Sequence, residues 1–208
     1  MNAVQRWLKS IESRQSLDAV AERLRSRVRP FLRERPGLDR ALRGKWLGHP
    51  AHPALVAMPI GCYGAAAVCD LLGRRVTARH LISLGLLTVP PAAITGLADW
   101  SELDLRQRRV GFVHASANIA SSVCYLMSWT ARHRSNDTAG RGWALLGLLT
   151  VSAAGAIGGH LAYAQGAGVF RWSRPAEAAD GPAGPMPRTP EDDAAGSHRE
   201  RTSGSGRQ

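Results

Sequence analysis

Histidine, carboxylate and carboxamide side chains set in an apolar stretch are the groups in this chain most able to do chemistry. The segment "WLGHPAHPALVAMPIG", residues 46–61, carries His49 and His52, each followed by proline, directly ahead of an apolar run. Further on come Asp99, then His114 with Asn118 four residues later, then Gly159, His160 and Tyr163. Imidazole is a borderline ligand and carboxylate a hard one, a set suited to zinc, copper or iron. For a single metal ion the candidates are His49, His52, His114, His160 and Asp99. Two neutral imidazoles from neighbouring helices would instead serve a b-type haem, for which His114 and His160 make the best pair. Asn118 or Asp99 could orient a ring nitrogen from outside the ligand set.

What must bring these residues together is a set of four apolar runs, at about 54–73, 81–98, 110–131 and 142–164. Each has the roughly twenty residues that a hydrocarbon core of about 30 Å demands. Short charged loops join them, which predicts an all-α, up-and-down four-helix transmembrane bundle. In that topology His49, His52, Asp99, His114 and His160 all fall at the membrane end where the first run begins, side A. His114, Asn118, Ser121, Ser122 and Tyr125 form one polar stripe at helical spacing, and such a stripe must face the bundle interior. Gly155 and Gly159 are four apart, a spacing that admits close helix approach, and Gly158 with Gly159 would leave room beside His160. Pro59, Pro90–Pro91 and Gly158–Gly159 predict kinks or close packing. No internal repeat of useful strength is read from the chain.

Flanking segments differ in kind. Residues 1–48 hold twelve Lys and Arg against five Asp and Glu. Leu17, Val20, Ala21, Leu24 and Val28 recur at helical spacing opposite arginines, and Pro30 and Pro36 interrupt the pattern. Segment 1–47 therefore reads as a basic amphipathic helix on a membrane surface, with anionic lipid headgroups as its partner, or else as a solvated charged arm. Residues 173–208, rich in Pro, Gly and Ser, read as a disordered tail after a membrane domain at 48–172. The net charge of +11 comes without a nucleic-acid-binding motif, so nucleic acid is not an expected partner. Counting Lys and Arg on each side places side A, with both termini, in the cytoplasm of a bacterial inner membrane. Trp46, Trp100 and Trp172 fall at side A, and Trp129 and Trp143 at side B, as interfacial indoles do.

Each polar group also has a structural reading. His52 before Pro53 could cap the first helix. His49 could sit at headgroup level, and His114 could be interhelical glue. Asp70 is four residues from Arg74, a helix-end ion pair by spacing. Cys62, Cys69 and Cys124 read as small apolar packing groups.

The segments "GHPAHPALVAMPIG", "CDLLG", "ITGLADW", "RVGFVHASAN" and "GGHLAYAQGAGV" together resemble the DUF2231 family of predicted bacterial membrane proteins, over about residues 48–169. The resemblance implies a four-span domain of unassigned activity and carries the family motifs onto His49, His52, Asp99, His114, Asn118, Gly159, His160 and Tyr163. Some members are joined to Rieske-type or cytochrome c modules, which implies electron transfer by association. This sequence has no Cys/His pair for an iron–sulfur cluster and no CxxCH, so a redox role needs a bound haem, a bound metal or a separate redox protein. The leading expectation is a redox-associated membrane protein, not an enzyme by itself. The alternative is a scaffold or a small-molecule or proton permease with structural histidines. The apparent lack of repeated halves counts against transport.

Overall fold

The computed structural model describes residues 3–168. The tail expected at 173–208, together with Trp172, lies outside them. Among the described residues all regular structure is helical. Three short helices come first: α1 (Ala3–Glu12), α2 (Asp18–Arg33) and α3 (Pro36–Leu42). Four long ones follow: α4 (Ala51–Leu71), α5 (Arg75–Trp100), α6 (Leu105–His133) and α7 (Asp137–Gly159), the last closed by a π-helical turn at His160–Ala164. All four long helices are long and apolar enough to cross a membrane. They outrun the apolar stretches at several ends, because arginine is a good helix former and its charge can snorkel to the headgroups. Pro59, Pro90 and Pro91 lie inside continuous helices. The departure from α-geometry falls after Gly159.

Helix α4 pairs with α5 and α6 with α7, and the two hairpins are copies of one another. The expectation of no internal repeat is wrong. The hexapeptide LGLLTV occurs at 84–89 and again at 146–151, and Cys62–Tyr63 matches Cys124–Tyr125. Each match has the same offset of 62 residues that separates the two cross-hairpin ion-pair partners. His52 reaches Ala92 and His114 reaches Ala154, both across 40 residues. Tyr63 lies against Gly85 as Tyr125 lies against Gly147. Both hairpins start at side A, so the repeat is a parallel one about an axis along the bundle. A residue touching its own repeat mate must lie beside that axis. From side A to side B the axis is flanked by His52/His114, Tyr63/Tyr125, Asp70/Arg132 and Arg75/Asp137.

The Asp70 carboxylate takes both terminal nitrogens of Arg132, at 2.5 and 2.9 Å, and Arg141 stands 3.8 Å away. That bidentate, charge-assisted pairing replaces the local pair with Arg74 that spacing suggests. Ser121 and Ser128 donate to the carbonyls of Gly147 and Gly140, so the polar stripe of α6 does face its neighbour. Gly155 and Gly159 have open space where a Cβ would be. Close approach on α7 uses Gly147 and Gly158 instead.

The N-terminal segment docks on side A by exchange of charge. Its acids reach α6: Asp18 grips Arg109 through both oxygens at 2.7 and 2.6 Å, and Glu22 meets Arg108 at 2.5 Å. Its arginines reach the α5–α6 corner: Arg29 meets Glu102 at 3.1 Å, Arg25 donates to the Ser101 carbonyl, and Arg43 approaches Glu102 and Asp99. Leu8 and Ile11 of α1 pack with Val110 and Ile157. Pro30 does not end α2, which runs on to Arg33. Trp100 is buried on Gly111 and donates to the Arg108 carbonyl, whereas Trp46 is exposed.

Candidate functional site: a paired-histidine centre on the repeat axis

His52 lies in the first turn of α4, with Pro50 as the residue before the helix, so it is inside the helix rather than its cap. Its Nδ1 is 2.8 Å from the Ala92 carbonyl oxygen of α5. His114, on α6, places Nδ1 2.9 Å from the Ala154 carbonyl of α7. A carbonyl only accepts, so in each neutral ring Nδ1 carries the proton and Nε2 the lone pair, which in His114 faces the Asn118 amide nitrogen at 3.2 Å. Two rings with the same tautomer, held the same way, stand 6.4 Å apart between centroids and nearly perpendicular.

Glycine makes each seat. A Cβ on Gly96 would stand 2.8 Å from the His52 ring, and one on Gly158 would stand 2.7 Å from that of His114. Any larger residue at either place would push the ring off its carbonyl. The two seats differ in one respect. Asn118 donates to the His114 carbonyl at 2.9 Å and places the same amide nitrogen 3.2 Å from His114 Nε2. The repeat mate of Asn118 is Val56, so His52 has no carboxamide at the matching position.

The other candidates are placed elsewhere. His160 gives its Nε2 to Glu12 of α1 at 2.8 Å, and Gln165 donates to the same carboxylate oxygen at 2.8 Å. These partners hold the Glu12 carboxyl below its usual range, the His160 hydrogen bond first among them. His49 is exposed, with Nδ1 near the Pro50 carbonyl. Asp99 approaches Arg43. Tyr163 stands out from the bundle, 91 % exposed, and Gly159 faces open space. Among the described residues no three His, Cys, Asp or Glu side chains group closely enough to hold a metal ion. The five-residue set read from topology therefore resolves into a histidine pair, His52 with His114, and a separate Glu12–His160 contact.

Glu12 was not among the residues singled out from the sequence. Nor was the partnership of His52 with His114. The repeat offset would have found the second, since 52 and 114 differ by the same number as the two LGLLTV copies.

The family model for predicted membrane proteins of the DUF2231 type matches residues 48–171. The chain belongs to the DUF2231 family. The match spans both hairpins and all of the axis residues, so the DUF2231 domain is the repeat itself, with α1–α3 an addition packed on its side-A end. No curated protein and no solved structure matches the chain.

Proposed function

We propose that this DUF2231 domain is a redox-associated protein of a bacterial inner membrane that holds a b-type haem between His52 and His114, with both termini on the cytoplasmic side. The observation that carries the reading is the pair of like-held imidazoles on the repeat axis. A backbone acceptor on Nδ1 is the usual companion of a metal-bound Nε2, since it fixes the ring and raises its basicity. Two histidines are too few for a mononuclear site, which draws three or four ligands from the protein. A haem brings its own equatorial nitrogens and asks the protein only for axial ones. The two rings would have to hold the group between them, their centroids 6.4 Å apart. When bound, the iron would supply one-electron transfer.

The chain's own residues then have defined tasks. Ala92 and Ala154 orient the rings, and Gly96 and Gly158 let them lie flat against the opposing helices. Asn118, whose amide nitrogen stands 3.2 Å from His114 Nε2, makes the two histidine seats unequal and would have to turn aside for that ring to hold the group. Arg108, Arg109 and the docked head close the end toward the cytoplasm, where a separate redox protein would meet the domain.

The parallel repeat also favours the permease reading, because such repeats build transporters. Against it, the stacked Tyr63 and Tyr125 and the Asp70–Arg132 pair occupy the same axis beyond the histidines. That makes the histidine pair the end of a path rather than a station along one.

The test is the absorption spectrum of protein purified from a haem-replete host. The expected result is a Soret band and a reduced-minus-oxidised difference spectrum, both lost in His52→Ala and in His114→Ala and kept in His160→Ala. A well-folded, colourless protein that also fails to take up added haemin overturns the reading.

A further inference from the structure

Folding sorts the charges of the N-terminal segment, and the sorting leaves one face of α2 with a definite character. Asp18, Ala21, Glu22, Arg25, Arg29 and Leu32 lie on the side turned to the bundle, where the four charged groups take ion-pair or carbonyl partners and Ala21 and Leu32 are buried. The opposite side carries Val20, Leu24, Arg27 and Phe31, spaced i, i+4, i+7 and i+11, with Arg23 beside them. All five are exposed, and the exposed Glu34 that follows the helix on this side pairs with Arg35. The outer face is thus an apolar stripe flanked by arginine, while Asp18 and Glu22 are spent inward on Arg109 and Arg108.

Position adds to composition. Helix α1 packs against Val110 and Ile157, at the boundary of the apolar lengths of α6 and α7. Trp7 on α1 is exposed there as well. Helix α1 thus lies where the apolar lengths of α6 and α7 begin on side A, and α2 lies on the charged ends of α5 and α6 next to it.

We infer that the outer face of α2 is a docking surface for an anionic lipid leaflet, with Val20, Leu24 and Phe31 entering the headgroup–acyl boundary and Arg23 and Arg27 pairing with lipid phosphate. A helix with such a face settles in the interfacial plane, and anionic headgroups add attraction for each arginine. The bound leaflet would hold the head against side A, so lipid composition would set how firmly that end of the bundle is closed.

The probe is an environment-sensitive fluorophore on a single cysteine, at Val20→Cys or Leu24→Cys, in the full-length chain. Cys69→Ala removes the more accessible native thiol, since Cys62 and Cys124 are buried. The protein is reconstituted into phosphatidylcholine vesicles with or without about a third phosphatidylglycerol. The expected result is a blue-shifted emission, quenched by brominated acyl chains, only with the anionic lipid. Arg23→Glu with Arg27→Glu should weaken that dependence by roughly an order of magnitude or more. Emission that stays water-like, or that is the same in neutral vesicles, overturns the proposal. A shift that instead grows with the protein-to-lipid ratio at fixed composition overturns it in favour of a second copy of the chain.

Discussion

Tyr63 and Tyr125 lie face to face on the repeat axis, ring centroids 3.5 Å apart and planes 8° from parallel. Each is almost fully buried, and each rests on the glycine of its own hairpin, Gly85 or Gly147. Their hydroxyls have no hydrogen-bond partner among the described residues, so what the rings contribute is packing. Truncation of either ring to alanine should cost about 3–5 kcal/mol, and the two losses should be similar because the seats are copies. Gly85→Ala and Gly147→Ala should each cost about 1–3 kcal/mol by crowding the same rings. Thermal unfolding in detergent, read for all four variants, checks both the size and the matching.

Asp70 and Arg132 form the most enclosed ion pair among the described residues, their side chains 12 % and 1 % exposed. Asp70→Asn should destabilise by about 3–5 kcal/mol, because it leaves an uncompensated charge inside the bundle. Replacing both by well-packed apolar residues should cost far less. A double-mutant cycle on unfolding midpoints measures the difference, and strict additivity would show that the pair is not coupled.

At the histidine seats the prediction concerns glycine rather than histidine. Gly96→Ala and Gly158→Ala place a methyl group within 3 Å of a ring and, on the proposed haem reading, should weaken haem retention without unfolding the bundle. Gly155→Ala and Gly159→Ala, whose surroundings are open, should leave the spectrum as it is. Difference spectra of the four proteins at equal concentration give the comparison.

Docking of the head should depend on pH with a definite sign. The Arg109 hydrogen bonds hold Asp18 below the ordinary aspartate range, and the Arg108 contact does the same for Glu22. A carboxyl whose folded pKa is depressed stabilises the docked form above its unfolded pKa, near 4. That contribution disappears as pH falls through the lower, folded value. The head should therefore stay protected at neutral pH and open in acid, below about pH 4, while the four spans persist. Hydrogen exchange of α2, corrected for the intrinsic rate at each pH, should show this. Arg109→Ala should open the head at neutral pH.

The spans were readable because twenty apolar residues in a row have few other places to go. Their ends were not, since Arg75, Arg106 and Arg132 belong to helices that leave the hydrocarbon without stopping. The repeat is hard to see because many mates differ in chemistry: Asp70 answers to Arg132, Val56 to Asn118, Pro59 to Ser121. Cys-Tyr and LGLLTV are the longest matches, and His52/His114, Ala92/Ala154 and Gly96/Gly158 are single identities scattered around them. The convergence of histidines at side A followed from topology, but which ring faces which did not. Depth along a helix places a residue at one end of a bundle, and rotation about the helix decides its partner. The head was the least legible part, because the contact of Glu12 with His160 spans 148 residues and leaves no local pattern.

The opposite charges along the axis bear on how the chain assembles during synthesis. Two first hairpins brought together would set Asp70 against Asp70 and Arg75 against Arg75, and two second hairpins would oppose Arg132 to Arg132 and Asp137 to Asp137. Only unlike hairpins satisfy both positions. Like charges thus oppose the pairing of a first hairpin with its counterpart on a neighbouring chain and favour its pairing with a second hairpin.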